Sequence, residues 1–160
     1  MEIDIVSMLL WGFAATVVLT TIEACSQGLG WSRMSIPFML GTMFTPDRLR
    51  AYVLGSGVHM INGWIFSFIY ILTFESWGRA TWWLGGGIGF VHGLFVLVVL
   101  MPVLPGMHSR MASSHRGPTP TRLLEPPGFL ALNYGRHTPL TAMLAHVVYG
   151  AMLGAFYHVV

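Results

Sequence analysis

The chain has 160 residues, eight of them arginine and none lysine; 54% are hydrophobic, 9% are charged, the formal net charge is +2 and mean hydropathy is +0.67. Soluble domains carry about a quarter charged residues, so this composition excludes an ordinary soluble domain and predicts an all-α integral membrane protein. The few scattered arginines exclude nucleic-acid binding, and Cys25, the one cysteine, excludes an intrachain disulfide or a cysteine-based zinc motif.

In chain order, the first predicted span covers residues 5–28 and contains one charged residue, Glu23. At 1.5 Å per residue it is long enough to cross a hydrocarbon core of about 30 Å. It lacks a basic leader and a small-residue cleavage pattern, so it is expected to be retained as a span. An apolar stretch over 34–44, broken by Pro37 and Gly41, is too short to span and is expected to be interfacial or re-entrant. The second span is predicted over 51–74, after Asp47, Arg48 and Arg50. A tight turn around Gly78 follows, with Trp82 and Trp83 as an interfacial aromatic belt. The third span is predicted over 80–101, stopped by Pro102 and Pro105. A long loop over 102–139, rich in Arg, Pro, Ser and His, leads to the fourth span over 140–160. Within that loop, residues 124–134 carry apolar side chains among prolines and are expected to be ordered against something.

The expected fold is therefore one membrane domain, residues 1–160, built as a four-transmembrane-helix bundle in a lipid bilayer. Seven arginines fall in the first and third connections and only Arg79 in the second. The positive-inside rule then predicts Arg-rich loops in the cytoplasm and both termini outside, in a bacterial inner membrane.

Each predicted span carries ionisable groups: Glu23, His59, His92 and His146. Counted inward from the Arg-rich side, all four lie roughly 10 to 15 Å deep, so one shared layer is expected. Small residues mark one face of three helices: Gly55 and Gly63 beside His59; Gly85, Gly89 and Gly93 beside His92; Gly150 and Gly154 after His146, a stripe that continues to His158. In lipid, close backbone approach at small residues drives helix packing, so these faces are expected to meet protein.

A lone intramembrane histidine is commonly a neutral ring bonded to a neighbouring helix. Three histidines and a glutamate at one depth favour a shared site instead. The expected chemistry is a transition metal ion, Fe, Cu, Zn or Mn, held by Glu23, His59, His92 and His146 for redox, transport or sensing. Thr20, Ser26, Gln27 and Asn62 are candidates to orient the ligands. The alternatives are a b-type haem on two of the histidines, a proton relay, or a structural accessory subunit whose loop docks on a larger membrane complex. A homo-oligomer or membrane-complex subunit is expected; whether the chain is an enzyme is left open. Met107, His108, Met111 and His115 offer soft donors for copper, although a solvated loop is the favoured reading there. The run Gly85-Gly86-Gly87 is not a phosphate loop, since no strand precedes it and no lysine follows.

Overall fold

Two aspartates start the first two long helices: Asp4 accepts the Ser7 N–H at 2.9 Å, and Asp47 accepts the Arg50 N–H at 2.8 Å. The computed structural model, which describes residues 2–113, 117–122 and 124–160, is all-helical, with no strand among those residues. Helix α1 spans Ile5–Gly28, the short α2 Ile36–Thr42 and α3 Arg48–Trp77. Helix α4, Trp82–Phe95, passes through a π turn, Val96–Leu100, directly into α5, Met101–Met107. A 3-10 turn over Phe129–Tyr134 precedes α6, Thr138–Phe156. Four helical stretches are long and apolar enough to cross a membrane: α1, α3, Trp82–Met107 and α6. Outward-facing Leu10, Ile65, Val91 and Leu144 are exposed on them, as lipid-facing side chains would be.

Three of the predicted boundaries move. The second span runs longer at both ends, because the Asp47 cap starts it early and Gly78, in the left-handed conformation at φ 65°, ends it late. The third does not stop at Pro102. A proline lacks an N–H and crowds the carbonyl four residues back, and the wider π turn relieves both. There the Met101 N–H reaches back to the Val96 carbonyl, five residues away, and the helix continues to Met107. The fourth ends at Phe156, so His158 lies beyond the helix, exposed, and does not extend the Gly150–Gly154 face.

Helix α4 packs extensively on α6, α1 packs on both α6 and α3, and α2 lies along α3. Glycines allow two of these approaches: a methyl at Gly85 would overlap the Gly150 carbonyl, and one at Gly55 would overlap the Pro37 carbonyl. The backbones of α3 and α4 stay apart, and Phe66 and Tyr70 of α3 reach across to His92 of α4. The order around the molecule is thus α3, α1, α6, α4, with a seam between the first and last.

The start of α1 and the ends of α3 and α6 share one end, where Trp11 stacks on Phe156 and Tyr157 donates to Glu75 Oε1 at 2.7 Å. The arginine-bearing connections meet at the other end. There the Arg33 N–H donates to the Tyr134 carbonyl at 2.7 Å, and Thr138 donates to Ser32 Oγ at 2.9 Å. The segment 124–134 is held by its own chain. Ala131 and Tyr134 are buried with Met34, Met39, Leu97 and Met101, and Tyr134 donates to the Glu125 carbonyl at 2.5 Å.

Candidate functional site

Between the two hydrophobic clusters of the core lies a chamber of about 360 Å³. Its position follows from the helix order: α3 supplies His59, Asn62, Gly63 and Phe66 on one side of the seam, and α4 with the π turn supplies His92, Val96, Leu97 and Leu100 on the other. Helix α1 adds Thr16, Leu19 and Glu23, and α6 adds Ala142, His146 and Tyr149. Met39, Leu40 and Met43 from α2 and its end, and Val103, Leu104 and Met107 from α5, form the wall nearest the arginine-bearing end. Glu23, His59, His92 and His146 therefore all line one partly open space.

The polar groups are concentrated at the deep end. The rings of His92 and His146 meet edge to face, with centroids 4.7 Å apart and planes at 85°. Phe66 stacks on the His92 ring at 3.9 Å, and the Tyr70 hydroxyl lies 3.1 Å from His92 Nδ1. His146 Nδ1 lies 2.7 Å from the Ala142 carbonyl, an acceptor only, so Nδ1 carries the proton and Nε2 presents its lone pair. Tyr149 donates to the Gly63 carbonyl at 2.6 Å, tying α6 to α3 across the floor of the chamber.

Two polar atoms on this wall have no protein partner. Glu23 is 4% exposed and its Oε2 makes no hydrogen bond, and neither does the buried His59 Nε2. Burying such atoms unpaired costs about 1–3 kcal/mol each, more for a charge, so a lining that includes both residues is chemically unfinished. No arginine lines the chamber among the described residues. Among them, too, no three His, Cys, Asp or Glu side chains stand close enough together to hold a metal ion. The edge-to-face contact of His92 and His146 leaves no gap for a macrocycle between those two rings.

The residues expected to orient ligands divide. Asn62 lines the chamber. Thr20 lines a separate cleft of about 240 Å³ between α1 and α3, which His59 also borders together with Ser56 and Met60. Ser26 donates to the Glu23 backbone carbonyl at 2.8 Å, and Gln27 is half-buried at the end of α1. The seven glycines named from the sequence are all buried; Gly63 meets Thr16 and Gly93 meets the His146 side chain. Tyr70, Tyr149 and Phe66 were not anticipated. Their signal was present as spacing, since Tyr149 lies three residues after His146 and Phe66 and Tyr70 seven and eleven after His59, all on shared helix faces.

In the loop, His108 and Met111 are buried and not solvated as expected. His108 is 2% exposed, with Nε2 2.9 Å from the Met39 carbonyl and Nδ1 accepting the Arg110 N–H at 3.1 Å. Burial holds it below its ordinary pKa of 6.5, and the Arg110 charge adds to this, while the bond to Met39 acts the other way. Burial raises Tyr134 to about 12, and the charge of Glu125 adds to this while that of Arg33 opposes it. His115 lies outside the described residues. Compared with protein-family models, curated proteins and solved structures, the chain matches none.

Proposed function

We propose that this protein is a four-span membrane bundle that binds a lipophilic small molecule with a polar end. The molecule lies in the chamber between α3 and α4, with its polar end at Glu23 and His59 and its apolar body along the outer wall. The observation that carries this reading is the pair of unpartnered buried atoms, Glu23 Oε2 and His59 Nε2, on two residues of a lining made otherwise mainly of Met, Leu, Val and Phe. Ligand sites in proteins are mostly apolar cavities with a few placed polar groups, and this chamber has that composition. The seam supplies a route from the lipid phase, since the ligand need not cross water to reach it. The Arg-rich end is assigned to the cytoplasm by the positive-inside rule.

Native mass spectrometry of the detergent-purified protein tests this. The wild type is expected to carry a non-covalent lipophilic mass that collisional activation releases. Ala142→Phe, which fills the chamber, should lose that mass while remaining folded by thermal melting. An identical adduct on both proteins would contradict the reading.

A second reading, a transition metal ion at the same four residues, is favoured by one observation: the His146 Nδ1–H bond to the Ala142 carbonyl leaves Nε2 free to ligate, as in metal sites where a backbone carbonyl orients the imidazole. Under it, elemental analysis should find a stoichiometric metal that His59→Ala, His92→Ala and His146→Ala each lower. Full metal content in all three variants would exclude it.

A further inference from the structure

The charge pattern of the chamber narrows the class of ligand. Among the described residues Glu23 is the one acid lining it, is 4% exposed, and has an oxygen with no hydrogen-bond partner. Among the described residues no Arg lines the chamber; Arg110 is engaged with the Thr42 and Met43 carbonyls and Arg33 with Glu125 and the Asn133 carbonyl. A lipid whose polar end is a carboxylate or phosphate would meet a carboxyl group here and no fixed cation, which is unfavourable in a low-dielectric space. A cation would supply a counter-charge for the Glu23 carboxylate, and a protonated amine a hydrogen bond as well.

The remaining wall fits the same class. Phe66, stacked on His92 through one face, lines the deep end, and aromatic ring faces attract a desolvated cation. Met34, Met39, Met43, Met101 and Met107 line the outer part, and unbranched, polarisable thioethers adapt to bodies of varied shape. The three imidazoles add hydrogen-bonding capacity without a fixed positive charge.

Resting on the lipophilic-ligand reading above, we infer that the chamber is selective for lipophilic cations, with Glu23 as the counter-charge and the methionine and aromatic wall as the receptor for the apolar body. Chemically the class is aromatic or alkyl quaternary ammonium, phosphonium or bulky amine cations.

The test is equilibrium dialysis of the purified full-length protein against two probes of similar bulk, with protein-free micelles as the blank. The probes are tetraphenylphosphonium, a cation, and triphenylphosphine oxide, which is neutral. Wild type should bind the cation about tenfold or more tightly than the neutral probe. Glu23→Gln should remove that preference while keeping the neutral probe, and Glu23→Asp, which restores the charge, should recover part of it. Equal binding by wild type overturns the inference without any variant, and where Glu23→Gln fails to fold, a wild-type preference that is kept when pH is lowered until carboxyl groups are protonated overturns it as well. Equal binding of both probes by wild type, or a preference for the cation that Glu23→Gln keeps, overturns the inference and leaves the chamber reading standing. Binding of neither probe to folded wild type overturns both.

Discussion

Glu23, His59, His92 and His146 are far apart in sequence, and a depth count at 1.5 Å per residue was enough to expect them in one layer. An ionisable group in a span must face protein, so depth and facing leave few arrangements, and the four residues line one cavity. The count could not supply the hydrogen bonds, which depend on rotamers and helix rotation. Tyr70, close to His92 Nδ1, and Tyr149, donating to Gly63, were hidden because tyrosines in apolar runs are ordinary core residues. The Tyr149 bond has a measurable weight. Replacing its donor leaves a buried carbonyl short of a partner, so Tyr149→Phe is expected to lower stability by about 1–2 kcal/mol in a denaturant titration. An unchanged midpoint would mean that the bond contributes nothing.

Helix ends were read least accurately where two local rules conflict. Pro102 predicts a stop, yet the apolar run around it continues, and the π turn lets both stand. Capping residues were better guides, since Asp47 and Gly78 mark the true ends of α3. The small-residue faces carry the α4–α6 contact, where a side chain at Gly85 would meet the Gly150 backbone. Gly85→Leu should therefore force the helices apart and cost roughly 1–3 kcal/mol, whereas Gly87→Leu, which has open space, should be nearly silent in the same thermal melt. Helix α2 depends on a different device. Arg110 Nη1 donates to the Thr42 carbonyl at 2.7 Å and to the Met43 carbonyl at 3.1 Å, and His108 bonds Met39. His108 accepts the Arg110 N–H, so a second proton on its ring would displace that bond. Its folded-state pKa is depressed below 6.5, so the stability contributed by the neutral ring is complete above pH 6.5 and is lost as pH falls toward the folded value. Amide exchange of residues 38–42, corrected for intrinsic rates, should speed up below about pH 6 in the wild type and lose that pH dependence in His108→Gln. Parallel pH profiles for the two proteins would contradict this role.

At the scale of the molecule, composition was sufficient for the class: four apolar helices with lipid-type surfaces follow from 54% hydrophobic and 9% charged residues. The seam was not legible, because a hydrophobic pattern says which residues avoid water and not which pair of helices is left unpacked. Along that seam lies a chamber of about 360 Å³ whose lining includes Glu23 and His59, each with one buried unpartnered atom. A crystal structure grown from a lipidic mesophase measures this most directly. The account predicts elongated density between α3 and α4, with its polar end within hydrogen-bonding distance of Glu23 Oε2 or His59 Nε2 and its body against Met39, Leu100 and Met107. A chamber closed by direct α3–α4 packing, with Glu23 and His59 bonded to protein groups, would contradict it.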